Sequence, residues 1–261
     1  MFGIAWLRHA MRWLAVVALC ALSAGPVLTA SAGAAAPPDF QARYELSRAG
    51  FTVGRSDLRF SRPFPKRYDY ALHTRATGMA RMVLKSEVLE SSRGRITADG
   101  FRPDVYRYVR RGDERARRAE LRFDWYAMEV VNDIAEYPWR MAITPDTIDR
   151  VISPLQLMHD LAERDPDEAT LVYRIADGGR LKTYQLQVEE REWVTTPAGR
   201  FEALRIRRRD PDSDRETLLW CAPQLHYLAV QIEQYENGSR NFRLRLAEVE
   251  GLPAPAGDAD D

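Results

Sequence analysis

The chain has 261 residues, and its 38 basic side chains are matched by 38 acidic ones. A net charge of zero excludes the bulk electrostatic pull that makes nucleic acid or an acidic membrane a protein's main partner. Cysteine occurs only as Cys20 and Cys221, which excludes a framework of internal disulfides.

The N-terminus reads as a secretory signal peptide over residues 1–32. Arg8 and Arg12 supply a positive start, Trp13 to Leu22 an apolar run, and Ala30-Ser31-Ala32 a small-x-small cleavage site. That run is about ten residues, well short of the roughly 20 that span a membrane, and Gly25-Pro26 interrupts any extension. A lipid-bearing Cys20 would follow a small residue, whereas Leu19 precedes it. The expectation is a periplasmic protein, exported through a cleaved leader. Losing Arg8 and Arg12 leaves 36 basic and 38 acidic side chains, still near balance. Nearly all the cations are arginine (Lys66, Lys85 and Lys182 are the exceptions), a usage that GC-rich coding produces without any recognition role. A flexible linker is expected over 33–39, one β domain over 40–250 and a disordered acidic tail over 251–261.

Alternation of apolar and polar residues then dominates, the mark of half-buried strands. Phe40, Ala42, Tyr44 and Leu46 share one face of a first strand; Phe51-Val53 and Leu58-Phe60 follow across Gly50 and Gly54. Tyr68, Tyr70 and Leu72 oppose Asp69 and His73 on the next strand. Leu121, Phe123 and Trp125 line one side of "ELRFDWYAMEV".

"SPLQLMHDLAERD", from Ser153, breaks the pattern. Ser153 is placed as N-cap, Pro154 at the first helical position, and Gln156 three residues on completes a capping box. Leu155, Leu157, Met158, Leu161 and Ala162 sweep one apolar arc, while Gln156, His159, Asp160, Glu163 and Arg164 fill the other side. Asp165-Pro166 ends this amphipathic helix.

Strands resume with Leu171-Tyr173-Ile175 and Tyr184-Leu186-Val188, joined by a "DGGR" turn. "TTPAGRFEALRIRRR" reads as the second half of a hairpin turning at Pro197-Ala198-Gly199. Leu228-Val230-Ile232 then meets Phe242-Leu244-Leu246 through Asn237-Gly238, a pair suited to a tight turn with positive φ at both positions. Roughly ten to twelve strands with short turns imply an antiparallel sheet. No period of 20 to 50 residues repeats, which argues against a propeller or solenoid. The expected fold is mainly β (α+β): a strongly curved antiparallel sheet, an open half-barrel, with one short amphipathic helix on its concave face.

Chemistry is hard to find. His73, His159 and His226 lie in no metal-binding spacing, so neither a metal nor a cofactor is implied. His159 and Glu163, four apart, read as an exposed helix-stabilising pair. No GxSxG elbow is present, and Gly178-Gly179 leads into a strand rather than a helix, so it forms a turn and not a phosphate loop. Acid pairs such as Glu189-Glu190 should point to opposite sheet faces. Cys221, beside Trp220 in an apolar strand, reads as an inert buried thiol. Asp113 and Glu114 interrupt the arginine run from Arg107 to Arg118, which makes it a solvated hairpin. No catalytic residue is assigned, and a non-enzymatic protein is expected.

Aromatic rings remain. One short helix covers less inner face than a curved sheet of this length exposes, so either an apolar ligand or a partner element should cover the rest. The residues expected to line such a cleft are Tyr44, Phe123, Trp125, Leu155, Met158, Leu161, Ala162 and Tyr184.

The stretches "ARYELSRAGFTVGRSDLRF", "ADGFRPDVYRY", "TTPAGRFEALRIRRR" and "ETLLWCAPQLHYLAVQIEQYENG" together resemble domain-of-unknown-function family 3108, whose members are exported bacterial proteins. The layout of that family is similar to the periplasmic lipoprotein carriers LolA and LolB, open half-barrels with helices over an apolar cavity. The resemblance implies that the concave face holds acyl chains or a lipidated partner, and it contributes no catalytic residue. The favoured expectation is a periplasmic binder of a hydrophobic ligand or lipidated envelope component. Its partners would be a lipid or lipidated protein, with peripheral membrane contact, no nucleic acid and an open question of oligomeric state. The alternative is a periplasmic scaffold whose sheet fills its own core.

Overall fold

The computed structural model describes residues 36–83, 85–112, 117–132, 138–164, 170–209 and 214–253. The leader assigned to residues 1–32 and most of the expected tail lie outside them.

A single sheet contains β1 (Phe40–Arg48), β2 (Phe51–Ser61), β3 (Arg67–Ala76), β4 (Glu87–Thr97) and β5 (Gly100–Arg111). It continues through β6 (Arg117–Asp124), β7 (Glu129–Asn132), β8 (Trp139–Ala142), β9 (Thr147–Asp149) and β10 (Thr170–Asp177). The last strands are β11 (Arg180–Thr196), β12 (Gly199–Arg209), β13 (Arg215–Ala222), β14 (Leu228–Glu236) and β15 (Ser239–Glu250). Two helices interrupt them, α1 (Ala80–Val83) and α2 (Ser153–Glu163). The described residues thus hold 15 strands, more than the alternation suggests. The surplus is β7, β8 and β9, whose four, four and three residues are too few to display a period.

β1 pairs with β15, so the two ends of the domain lie mid-sheet, and β8 and β9 from the middle of the chain form its edges. Every pairing is antiparallel except β9 with β10. A parallel neighbour needs a crossover, and α2 is that crossover. Register shifts at Arg43/Tyr44, Arg93/Gly94 and Val188/Arg191 mark bulges, which add local twist and roll the sheet around α2. The roll brings the β10–β11 turn against β8. A Cβ on Gly179 would meet the Trp139 ring at 3.5 Å.

The hairpin at Pro197-Ala198 pairs Thr196 with Gly199, as its turn residues require, and its tip reaches further. The Ala198 N–H donates to the Leu246 carbonyl at 3.1 Å, tying the β11–β12 tip to β15. Asn237 and Gly238 both take positive φ, 51° and 73°, as their tight turn demands.

Three local expectations are corrected. "ELRFDWYAMEV" is not one strand: Asp124 accepts the Tyr126 and Ala127 N–H groups at 3.0 and 2.9 Å, and this Asx turn folds the segment into the β6–β7 hairpin. Ser153 is not the N-cap: Ile152 occupies that position, and Ser153 Oγ donates to the Arg150 carbonyl. Gln156 therefore closes no capping box and turns inward. The polar side of α2 does not face water either, since Gln156, His159 and Asp160 are buried along with Leu155, Leu157, Met158 and Leu161. A helix wrapped by a sheet has no solvent face along most of its length, whatever its sequence pattern suggests.

Candidate functional site

Of the residues expected to line a cleft, Tyr44, Phe123, Leu155, Met158, Leu161 and Tyr184 are buried in one continuous core. Trp125 is half-buried in the β6–β7 turn, stacked on Phe123 at 5.6 Å, with its indole N–H on the Pro103 carbonyl. Ala162 is exposed. Tyr44 donates to the Ala229 carbonyl at 2.9 Å, and the Arg208 guanidinium lies over Tyr184. These rings meet protein atoms, and each polar handle named here has a protein partner.

Polar chains missed by the sequence reading hold α2 in place. Gln156 accepts the Phe101 N–H at 2.8 Å and donates to the Asp99 carbonyl and to Asp160 Oδ1, both at 3.0 Å. Asp160 Oδ2 accepts the Tyr173 hydroxyl at 2.8 Å. One turn earlier, Asp149 accepts the Ile152 N–H at 2.9 Å and so organises the approach to the helix. Its other oxygen accepts Ser92 Oγ from β4, and Ser92 is in turn bonded to the Tyr68 hydroxyl. Burial pushes the Asp149 carboxyl up to about 7, against the lowering effect of Ser92 and the backbone N–H groups. Burial likewise raises the Tyr68 and Tyr173 hydroxyls. The signal that could have found this cluster is Asp149 itself, a carboxylate set between Ile148 and Val151-Ile152 just before a helix.

Catalytic geometry does not follow from these groups. Ser92 and Asp149 resemble a hydroxyl–carboxylate pair, but both are fully buried, so no substrate can approach them. The Cys221 thiol is fully buried and pushed up to about 12, which keeps it protonated and unreactive. His159 lies edge-on to Phe101, and its buried Nδ1 has no hydrogen-bond partner. No group of three His, Cys, Asp or Glu side chains among the described residues could hold a metal ion. Glu189 and Glu190 depart from strict alternation: at the β11 bulge both reach Arg205, at 2.6 and 2.8 Å.

Two clefts open at opposite ends of the sheet. One, of about 500 Å³, borders α2 at Gln156, Asp160 and Arg164 and is walled by Phe101, Ile148 and Tyr173. The other, of about 560 Å³, lies where β2, β3 and α1 meet the start of β4, and four cations line it: Arg55, Arg75, Arg81 and Lys85.

Residues 40–245 match the family described as "Protein of unknown function (DUF3108)". The chain belongs to this family. Among proteins of curated function, none matches this sequence. The fold of this chain is similar to that of a solved beta-barrel-like protein of domain of unknown function DUF1849 from Brucella abortus. That likeness has a TM-score of 0.54 and 11% identity, covering 83% of this chain and 99% of that one. It is a likeness of fold alone. Two other solved structures align over 82% of the chain at lower similarity. A "putative lipoprotein" from Parabacteroides distasonis has TM-score 0.33 and 12% identity over 96% of its length. A "putative exported protein with YmcC-like fold" from Bacteroides fragilis has TM-score 0.32 and 13% identity over 97% of its length.

Proposed function

We propose that this DUF3108 protein is an exported, non-enzymatic interaction protein of the cell envelope, with an open half-barrel whose concave face its own helix occupies. One observation carries the reading. From Leu155 to Leu161 every residue of α2 is buried, so the helix occupies the concave face where a ligand would sit. The Gln156 and Asp160 hydrogen bonds fasten it to β5 and β10. A carrier would have to break those bonds to admit an acyl chain. The leader-like N-terminus supports the compartment.

A carrier of a hydrophobic ligand is the second reading, favoured by the cleft of about 500 Å³ beside Gln156 and Asp160. The test is native mass spectrometry of protein isolated from the periplasm, together with titration of a fluorescent acyl probe. A ligand-free mass and no saturable probe binding are expected. Co-purified lipid, or saturable binding competed by fatty acid, would move the assignment to the carrier.

A further inference from the structure

One rim of the sheet gathers large apolar tips and cations that the fold does not use. Phe51 opens β2 just after the β1–β2 turn at Ala49-Gly50 and is 75% exposed; Met79 and Met82, in the β3–β4 connection, are 81% and 73% exposed. The two segments are neighbours. Thr77 donates its N–H to the Val53 carbonyl at 3.2 Å, and Gly54 pairs with Ala76. The end of β5 comes close to the same connection: a Cβ on Gly112 would strike the Lys85 carbonyl. Core demand does not explain side chains of this size at such exposure.

Among the described residues, cations outnumber acids around these tips. Arg48, Arg81 and Lys85 are exposed, and none is ion-paired among the described residues. Arg55 and Arg75 share the single carboxylate of Asp57, at 3.1 and 3.4 Å, with Arg43 as a third claimant. Glu87, the acid of the adjoining cleft, is hydrogen-bonded to His73 at 2.5 Å and lies 3.9 Å from Arg111. At the opposite rim Phe64 is also exposed, with a single unpaired cation among the described residues, Lys66, near it; Arg62 and Arg67 there are paired with Asp39 and Asp104.

We propose that this rim, with Phe51, Met79 and Met82 as apolar tips and Arg48, Arg81 and Lys85 as their cationic collar, docks the protein on an anionic phospholipid surface. Unpaired cations around exposed apolar side chains complement acidic headgroups over an acyl boundary. An acidic protein would satisfy the cations but would give the three separate apolar tips no continuous apolar layer to enter. No helix of the described residues is long and apolar enough to cross a membrane, and the proposed contact is a peripheral one made by the rim. The proposal rests on the envelope-interaction reading for its compartment only.

The test is co-sedimentation of the protein isolated from cells with vesicles of phosphatidylglycerol and phosphatidylcholine, against phosphatidylcholine alone. Binding to the acidic vesicles is expected, at least tenfold weaker without phosphatidylglycerol and falling with salt. The combined variant Arg48→Glu, Arg81→Glu and Lys85→Glu should bind on the order of a hundredfold more weakly, at roughly fivefold for each cation. Met79→Ser with Met82→Ser should lose on the order of tenfold from the apolar contact. All of these residues are exposed, so melting curves should not move, and Phe64→Ser at the far rim should bind like the parent. Equal binding to neutral vesicles, no binding, or binding unmoved by both rim variants would overturn the proposal. So would capture of an acidic protein that depends on the cations but not on Met79 and Met82. Failure here with no acyl-probe binding removes this surface and leaves the proposed function standing.

Discussion

Ser92 on β4 donates a 2.5 Å hydrogen bond to Asp149 on β9, two residues that are 57 apart in the chain and belong to strands far apart in the sheet order. The bond ties an edge strand to an interior strand that is not its neighbour in the sheet. Its carboxyl is fully buried, and burial raises it to about 7. In the unfolded chain an aspartate titrates near ~3.9. Between those two values the folded state holds a proton that the unfolded state has released, so stability falls as pH rises through that window. The contribution is complete below about pH 4 and gone above about pH 7, and three pH units correspond to roughly 4 kcal/mol at most. Asp149→Asn keeps the neutral form at every pH. Urea melts from pH 4 to 8 should show the parent losing stability relative to this variant as pH rises; parallel curves would contradict the assignment.

The polar side of α2 should matter as much as its apolar arc. Leu155→Ala and Leu161→Ala, both nearly inaccessible, should each cost about 2–5 kcal/mol. Gln156→Ala strands the Phe101 N–H and one contact of Asp160, at about 1–3 kcal/mol. Chemical denaturation measures all three. A Gln156 variant as stable as the parent would mean that the helix does not seat on β5.

Two substitutions that the sequence pattern marks as damaging should be mild. Ser153 donates to an exposed carbonyl and is not the cap, so Ser153→Ala should change stability by no more than about 0.5 kcal/mol. Ala162 is exposed, so Ala162→Trp should leave both the melting curve and any probe binding as they are. A large loss in either variant would restore the arrangement read from periodicity.

Gly94 sits opposite Tyr68 at the β4 bulge, and a Cβ there would lie 2.2 Å from the Arg102 carbonyl and 2.9 Å from the Tyr68 ring. Gly94→Ala must therefore push strand backbone apart, at about 1–3 kcal/mol or more. It should also disturb the Tyr68–Ser92–Asp149 chain, so its pH profile should flatten along with its loss of stability. Thermal melts at pH 5 and pH 8 check both.

The sequence by itself determined what depends on near neighbours. Alternation at Phe40, Ala42 and Tyr44 set a strand face, Asn237-Gly238 set a turn, and the apolar arc of Leu155, Leu157, Met158 and Leu161 set the helix and its buried side. From those followed the curved antiparallel sheet and the family. What only the tertiary structure decided depends on contacts between distant parts of the chain. Gln156 and Asp160 look solvent-facing beside their own neighbours, yet the rolled sheet supplies Phe101 and Tyr173 to receive them. Strands as short as β9 carry no period, and β9 is a strand because β10 lies beside it. The rim of Phe51, Met79 and Met82 exists only because β2 and the β3–β4 connection are hydrogen-bonded side by side. Local patterning fixes which face of an element seeks burial, whereas the curling of the sheet around α2 fixes how much of each element finds it.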